Sequence, residues 1–291
     1  MTLARALATG LQYILPHKTL SHIAYKVARI RYRPIKNWMI NRFVQAFNVN
    51  LNEAISDNPD DYEHFNAFFT RALKPSVRPI SSDPHDVVSP VDGRISQLGP
   101  IREGRIIQAK GFDFSVAELL ASDTHTAAQY AGGQFITIYL SPRDYHRIHM
   151  PVDGKPRYST HVPGRLFSVA DWTAQSIPRL FARNERLVCY FDTPLGQMPL
   201  VMVGAMLVSS METVFHGQVT PPYARQVTQI EPRPSQPLSR GQEMGRFNYG
   251  STVILLFPPG SITFLPELAP GTPVKMGEKI GHWSTPEATG E

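Results

Sequence analysis

Ser251 has the chemistry of a masked nucleophile. It stands in Gly250-Ser251-Thr252, between a turn-forming stretch with Gly241, Gly245 and Asn248 and the apolar run Val253 to Phe257. By itself Gly250-Ser251 reads as a tight turn before a buried strand. A serine hydroxyl needs an adjacent base to attack anything at neutral pH. The chain offers imidazoles in one dense segment, Ser141-Pro142-Arg143-Asp144-Tyr145-His146-Arg147-Ile148-His149-Met150-Pro151. His146 and His149 face one way if that segment makes a helical turn. With Asp144 they form a weak metal set; beside two arginines they read better as acid–base groups. A carboxylate, Asp92, stands in Pro90-Val91-Asp92-Gly93, where Asp-Gly is first of all a turn signal.

Such groups need a rigid frame. Val87 to Ile95 reads as two extended pieces around the Asp92-Gly93 turn. Gln134 to Leu140 alternates like a half-buried strand and feeds the histidine segment. Further strands are expected at Leu187 to Phe191, Met198 to Val208, Val214 to Val219 and Val253 to Phe257. The C-terminal stretch Gly271 to Trp283 resembles the Gly-punctuated hairpins of biotinyl and lipoyl carrier domains. It has no lysine in the Met-Lys-Met context that biotinyl domains modify, so only the β-fold likeness carries over. The expected class is α+β: N-terminal amphipathic helices, then a mostly antiparallel β body with barrel-sandwich character near its end. Residues 1–80 form the basic helical segment and residues 81–291 the β-rich catalytic domain, with a linker at Pro75, Pro79, Ser81, Ser82 and Pro84.

Charge separates the two parts. The first 52 residues carry eight Lys and Arg and no Asp or Glu; the whole chain is +5, so the remainder is −3. Leu20, Ile23, Val27 and Ile30 recur at helical spacing, with Lys26, Arg29 and Arg33 on another face. Pro34 is expected to end that helix, and a second segment runs from Trp38 to Phe47. A further helix is expected over Tyr62 to Ala72. Aromatic and aliphatic groups mixed with cations describe helices lying in a bilayer interface, or else an ordinary amphipathic pair packed on its own domain. Nucleic acid is disfavoured, because no nucleic-acid motif accompanies the charge. Gly10 and Gln12 break the apolar part of a would-be signal peptide. Pro258, Pro259 and Gly260 interrupt the uncharged stretch Phe247 to Pro266, which is otherwise long enough to span a membrane. Cys189 is the single cysteine, so no internal disulfide is available.

Asp92 in Pro-Val-Asp-Gly, His146 and His149 in Tyr-His-Arg-Ile-His-Met-Pro, and Gly250-Ser251-Thr252 together closely resemble the bacterial phosphatidylserine decarboxylases, a pyruvoyl-dependent family. The resemblance spans almost the whole chain. Tyr249 replaces a usual Leu and Ser209 a usual Gly, and neither touches a group the chemistry needs. The resemblance implies self-cleavage between Gly250 and Ser251, into a β chain of residues 1–250 and an α chain of 251–291 that form a heterodimer. Ser251 becomes the covalent pyruvoyl cofactor, with Asp92, His149 and Ser251 as the cleavage triad. The substrate amine then forms a Schiff base with that ketone, and His146 serves decarboxylation as proton donor or carboxylate-positioning group. It also implies phosphatidylserine as substrate, an anionic membrane surface as partner, and peripheral attachment at the cytoplasmic face of the cell membrane. Higher homo-oligomers stay open. Two alternatives stand: a pyruvoyl enzyme for a soluble amino acid, and a non-catalytic β-domain that binds anionic membranes.

Overall fold

The computed structural model describes residues 3–206, 210–223, 225–233, 235–248 and 252–283. Gly250 and Ser251, together with Tyr249 and Ser209, lie outside them. Four helices lead: α1 (Leu3–Ile14), α2 (His17–Val27), α3 (Arg33–Phe47) and α4 (Phe65–Phe69). Pro34 does not end α2. It lies in the first turn of α3, where its missing N–H has no intrahelical partner to lose and its φ is already helical. The helix expected over 62–72 shrinks to α4. His64 is extended and its Nδ1 caps the Ala67 N–H, so Tyr62 and Glu63 stay outside. α3 and α4 share a small core of Ile40, Phe43, Val49, Phe65, Phe68 and Phe69, with the Phe43 ring 5.2 Å from Phe65 and 5.8 Å from Phe69.

The β body follows. Its first strands are β1 (Asp86–Val88), β2 (Gly93–Pro100), β3 (Arg105–Ala109), β4 (Phe112–Ser115), β5 (Gln134–Tyr139), β6 (Arg147–His149), β7 (Lys155–Val162), β8 (Arg186–Thr193) and β9 (Gly196–Val203). Then come β10 (Met211–Thr213), β11 (Gly217–Gln218), β12 (Thr228–Ile230), β13 (Glu243–Phe247), β14 (Thr252–Phe257), β15 (Thr263–Phe264), β16 (Pro273–Val274) and β17 (Lys279–His282). The main sheet is antiparallel and open, in the order β12-β7-β8-β9-β14-β5-β2-β16. β14 lies between β9 and β5 with all six residues buried, which is why it reads as an unbroken apolar run without alternation. A smaller sheet, β11-β10-β13-β6, carries the histidine segment.

The class is α+β, as expected. Three local expectations change. Val214 to Val219 is not one strand: β10 and β11 pair with each other across a turn. β16 and β17 do not form a hairpin together. β16 pairs with β2, and β17 with β1 and β15. The residues after His146 form β6 and not a helical turn, because β13 supplies their ladder partners.

Candidate active site

Asp92 follows β1 and precedes β2. A Cβ on Gly93 would lie 2.4 Å from the Tyr139 carbonyl oxygen, so only glycine lets β2 approach the end of β5 this closely. That approach brings the Asp92 carboxylate inside, where Arg78 grips it. Nε of Arg78 donates to Oδ1 at 2.9 Å and to Oδ2 at 3.2 Å, and Nη2 also donates to Oδ2. The Met276 N–H donates to Oδ1 at 2.9 Å. Arg78 in turn reaches Glu53, with Nη2 to Oε2 at 2.6 Å.

His149 closes β6. Its Nδ1 is 2.8 Å from the Gly241 carbonyl oxygen, which can only accept, so Nδ1 carries the proton. Nε2 then holds the lone pair and receives the Tyr145 hydroxyl at 2.9 Å. Burial pulls the His149 pKa down, opposed by the Gly241 hydrogen bond and by the charges of Glu243 and Asp92. The imidazole is neutral and has its acceptor nitrogen ready for a proton. Asp92 and His149, which the resemblance joins in one triad, are not hydrogen-bonded to each other. A guanidinium is a stronger partner for the carboxylate than a neutral imidazole, and Gly241 takes the Nδ1 proton instead.

His146 is fully buried and stacks on Phe69, with ring centroids 4.1 Å apart. Neither ring nitrogen has a hydrogen-bond partner among the described residues. Burial, reinforced by the nearby Arg71 charge, pushes its pKa down to about 3. The two histidines do not face one way: His146 turns to α4 and His149 to the Gly241 loop.

The described residues on either side of Ser251 are held by β6, β5 and β9. The Phe247 N–H donates to the His146 carbonyl at 3.0 Å. Asn248 is held by the Asn66 amide at 2.8 Å and donates to Ser210 Oγ at 2.6 Å. Thr252 pairs with Tyr139 on β5 and Val203 on β9, and its buried Oγ1 has no partner among the described residues. An apolar cavity of about 400 Å³, lined by Tyr25, Trp38, Met39, Phe43, Phe65 and Asn248, runs from the helices to that same end of β13. Tyr145 and Arg78 were not singled out from the sequence. Tyr145 stands inside the histidine motif and had a local signal, whereas only the fold brings Arg78 to Asp92.

Two buried imidazoles, both held below the ordinary histidine pKa, are groups that acid–base or substrate-positioning chemistry can use. A family model for phosphatidylserine decarboxylase matches residues 65–282, and a model described as PSD matches residues 7–48. The chain is 53% identical over 271 residues to a phosphatidylserine decarboxylase proenzyme of Bordetella avium, covering 92% of each. It is 52% identical to the proenzyme of the same description from Stutzerimonas stutzeri, covering 96% of this chain and 95% of the relative. Against that of Stenotrophomonas maltophilia the identity is also 52%, over 94% and 98%. The chain belongs to the phosphatidylserine decarboxylase family, and it is a decarboxylase.

Proposed function

We propose that the chain cuts itself between Gly250 and Ser251 and then converts phosphatidylserine to phosphatidylethanolamine and CO₂. The observation that carries this reading is that both flanks of the Gly250-Ser251 segment are tied to the histidine segment or the strand that leads into it: the Phe247 N–H donates to the His146 carbonyl, and Thr252 pairs with Tyr139 at the end of β5. Ser251 Oγ attacks the Gly250 carbonyl and exchanges the amide for an ester. His149 Nε2 takes the hydroxyl proton, so the Tyr145 hydroxyl that now covers that lone pair must yield. Asp92 acts through space: its negative charge favours the imidazolium that forms. Loss of the Ser251 α-proton expels the ester carboxylate, and hydrolysis of the resulting enamine releases ammonia. The products are a β chain of 1–250 and an α chain of 251–291 that remain together.

The pyruvoyl group so formed supplies the electron sink for decarboxylation. An added polar group would find partners here, because His146 Nδ1 and Nε2 and Thr252 Oγ1 are buried with no hydrogen-bond partner among the described residues. A ring with a pKa of about 3 carries no spare proton at neutral pH. His146 therefore serves better as an N–H that positions the substrate carboxylate in a desolvated place than as a proton donor.

The lipid reading rests on the N-terminal helices. Leu7, Leu11, Ile14, Ile23, Ile35 and Trp38 are exposed on them, next to the basic residues. No helix among the described residues is long and apolar enough to cross a membrane. An amphipathic helical face that rests on an anionic bilayer, at the cytoplasmic side of the cell membrane, fits both facts. The apolar cavity then leads glycerol and acyl carbons toward Asn248.

Intact-mass measurement tests the reading. Wild type should give two chains, the smaller lacking an amine at residue 251, and Ser251→Ala should give one uncut chain. Two-chain product from Ser251→Ala would falsify the mechanism.

A further inference from the structure

A second, polar cavity of about 230 Å³ opens beside Tyr145, its wall holding four cations, Arg71, Arg78, Arg143 and Lys275, against three carboxylates, Glu53, Asp92 and Asp144. Most of its charges already have partners. Arg78 is taken by Asp92 and Glu53, and Lys275 lies 3.7 Å from Glu53. Asp144 accepts from the N–H and Oγ of Ser141, both at 2.7 Å. Arg71 differs. It is only 4% exposed, and Nη2 donates to the Arg143 carbonyl at 3.2 Å. Its Nε and Nη1 are buried with no partner among the described residues. Leaving buried donors of a cation unpaired is costly, and an anion in the cavity would remove that cost.

We infer that this cavity is a phosphate site centred on Arg71, and that the phosphodiester of the lipid headgroup occupies it; the second half rests on the function proposed above. Arginine presents a planar fork that matches phosphate oxygens. The cavity is smaller than the roughly 300–1,000 Å³ of sites for larger organic ligands, so it suits a small anion and not a glycerolipid body. Arg143 and Lys275 are more than half exposed at its rim and can draw an anion in from solvent. The departing carboxylate is a poor occupant. A guanidinium paired to it would stabilise the ground state more than a transition state whose charge is leaving that carboxylate. A phosphodiester keeps its charge throughout, so its binding lowers KM and leaves kcat alone.

The whole chain, as wild type, Arg71→Gln and Arg71→Lys, is titrated calorimetrically with inorganic phosphate. CO₂ release from phosphatidylserine in mixed micelles is then followed with and without phosphate. Phosphate should bind wild type, Arg71→Gln should weaken that binding by about tenfold or more, and Arg71→Lys should restore part of it. Phosphate should compete with the lipid, and Arg71→Gln should raise KM by a similar factor with kcat within about twofold. Non-competitive inhibition with the same Arg71 dependence would keep the phosphate site but assign it to free phosphate. No binding to wild type, or binding unchanged in Arg71→Gln, overturns the inference. Calorimetry needs no turnover, so Arg71-dependent binding without CO₂ release would count against the decarboxylase reading alone. If Arg71→Gln does not fold, the exposed rim pair Arg143→Gln with Lys275→Gln takes its place. Phosphate binding should then fall by about threefold, and unchanged binding overturns the proposal.

Discussion

At His149 two neighbours decide the chemistry. Gly241 fixes the proton on Nδ1 and Tyr145 covers the lone pair on Nε2. Tyr145→Phe should therefore still self-cleave within about threefold of wild type, because it uncovers the base without removing it. A loss of a hundredfold would instead make the tyrosine a proton carrier. His149→Ala should slow cleavage by about 10²–10⁴. Asp92→Asn should slow it too and should also destabilise the fold. It leaves the buried Arg78 guanidinium without its main counter-charge, which costs about 3–5 kcal/mol in comparable sites. Denaturant titration of the uncut Ser251→Ala chain, with and without Asp92→Asn, separates the two effects. His146 makes a pH prediction. Its folded pKa of about 3 lies below the ordinary 6.5, so the unfolded chain binds more protons between those values. Its contribution to stability is complete above pH 6.5 and is lost as pH falls toward 3, at up to about 1.4 kcal/mol per pH unit. His146→Leu should flatten the acid side of the stability curve in that window.

At the scale of elements, the site depends on where strands end. β5 delivers the histidine segment, β13 delivers Asn248, and β14 begins at Thr252. Gly241, just before β13, has φ +79°, and a Cβ there would come within 2.8 Å of Ile80. Gly260 has a similar φ of +68° but open space around it. Gly241→Ala should cost more than the roughly 1–2 kcal/mol that Gly260→Ala loses to backbone strain. Of the two, only Gly241→Ala should slow self-cleavage, because it displaces the carbonyl that sets the His149 tautomer. Thermal melts of the uncut variants and cleavage time courses read the two outcomes. Equal effects at both positions would remove Gly241 from the site.

Across the whole molecule, the helices both pack and project. α1 is tied to the β body through Gln12, whose Oε1 accepts the Ser168 N–H at 3.0 Å, and through Tyr13 against Phe167. Its other side leaves Ile14 82% and Leu11 54% exposed. Leu11→Glu with Ile14→Glu disturbs no core contact, so self-cleavage should be unchanged. Sedimentation with phosphatidylserine-containing vesicles should fall several-fold, since two apolar anchors become anions facing an anionic surface. Unchanged sedimentation would move the membrane face elsewhere on the molecule.

The sequence by itself determined what depends on local chemistry. The apolar run behind Ser251, short and bounded by Gly250 and Pro258-Pro259-Gly260, reads as a buried strand, and the concentration of charge in the first 52 residues set the helices apart from the β body. Asp92, His146, His149 and Gly250-Ser251 were legible as short motifs because their residue types are uncommon in that order. Tertiary structure decided the partners. Whether Asp92 meets His149 or Arg78 depends on a competition between a guanidinium and a neutral imidazole across elements far apart in the chain. Whether Pro34 ends one helix or starts the next depends on which turn the α3–α4 core holds. Burial of Arg71 with unpaired donors, and of His146 as a neutral ring, follows from packing around α4 that no local pattern encodes. Thr252, directly after Ser251, begins a fully buried strand, as the apolar run predicts. The settings of the two groups proposed to act on Ser251, His149 between Gly241 and Tyr145 and Asp92 in the grip of Arg78, belong to the fold.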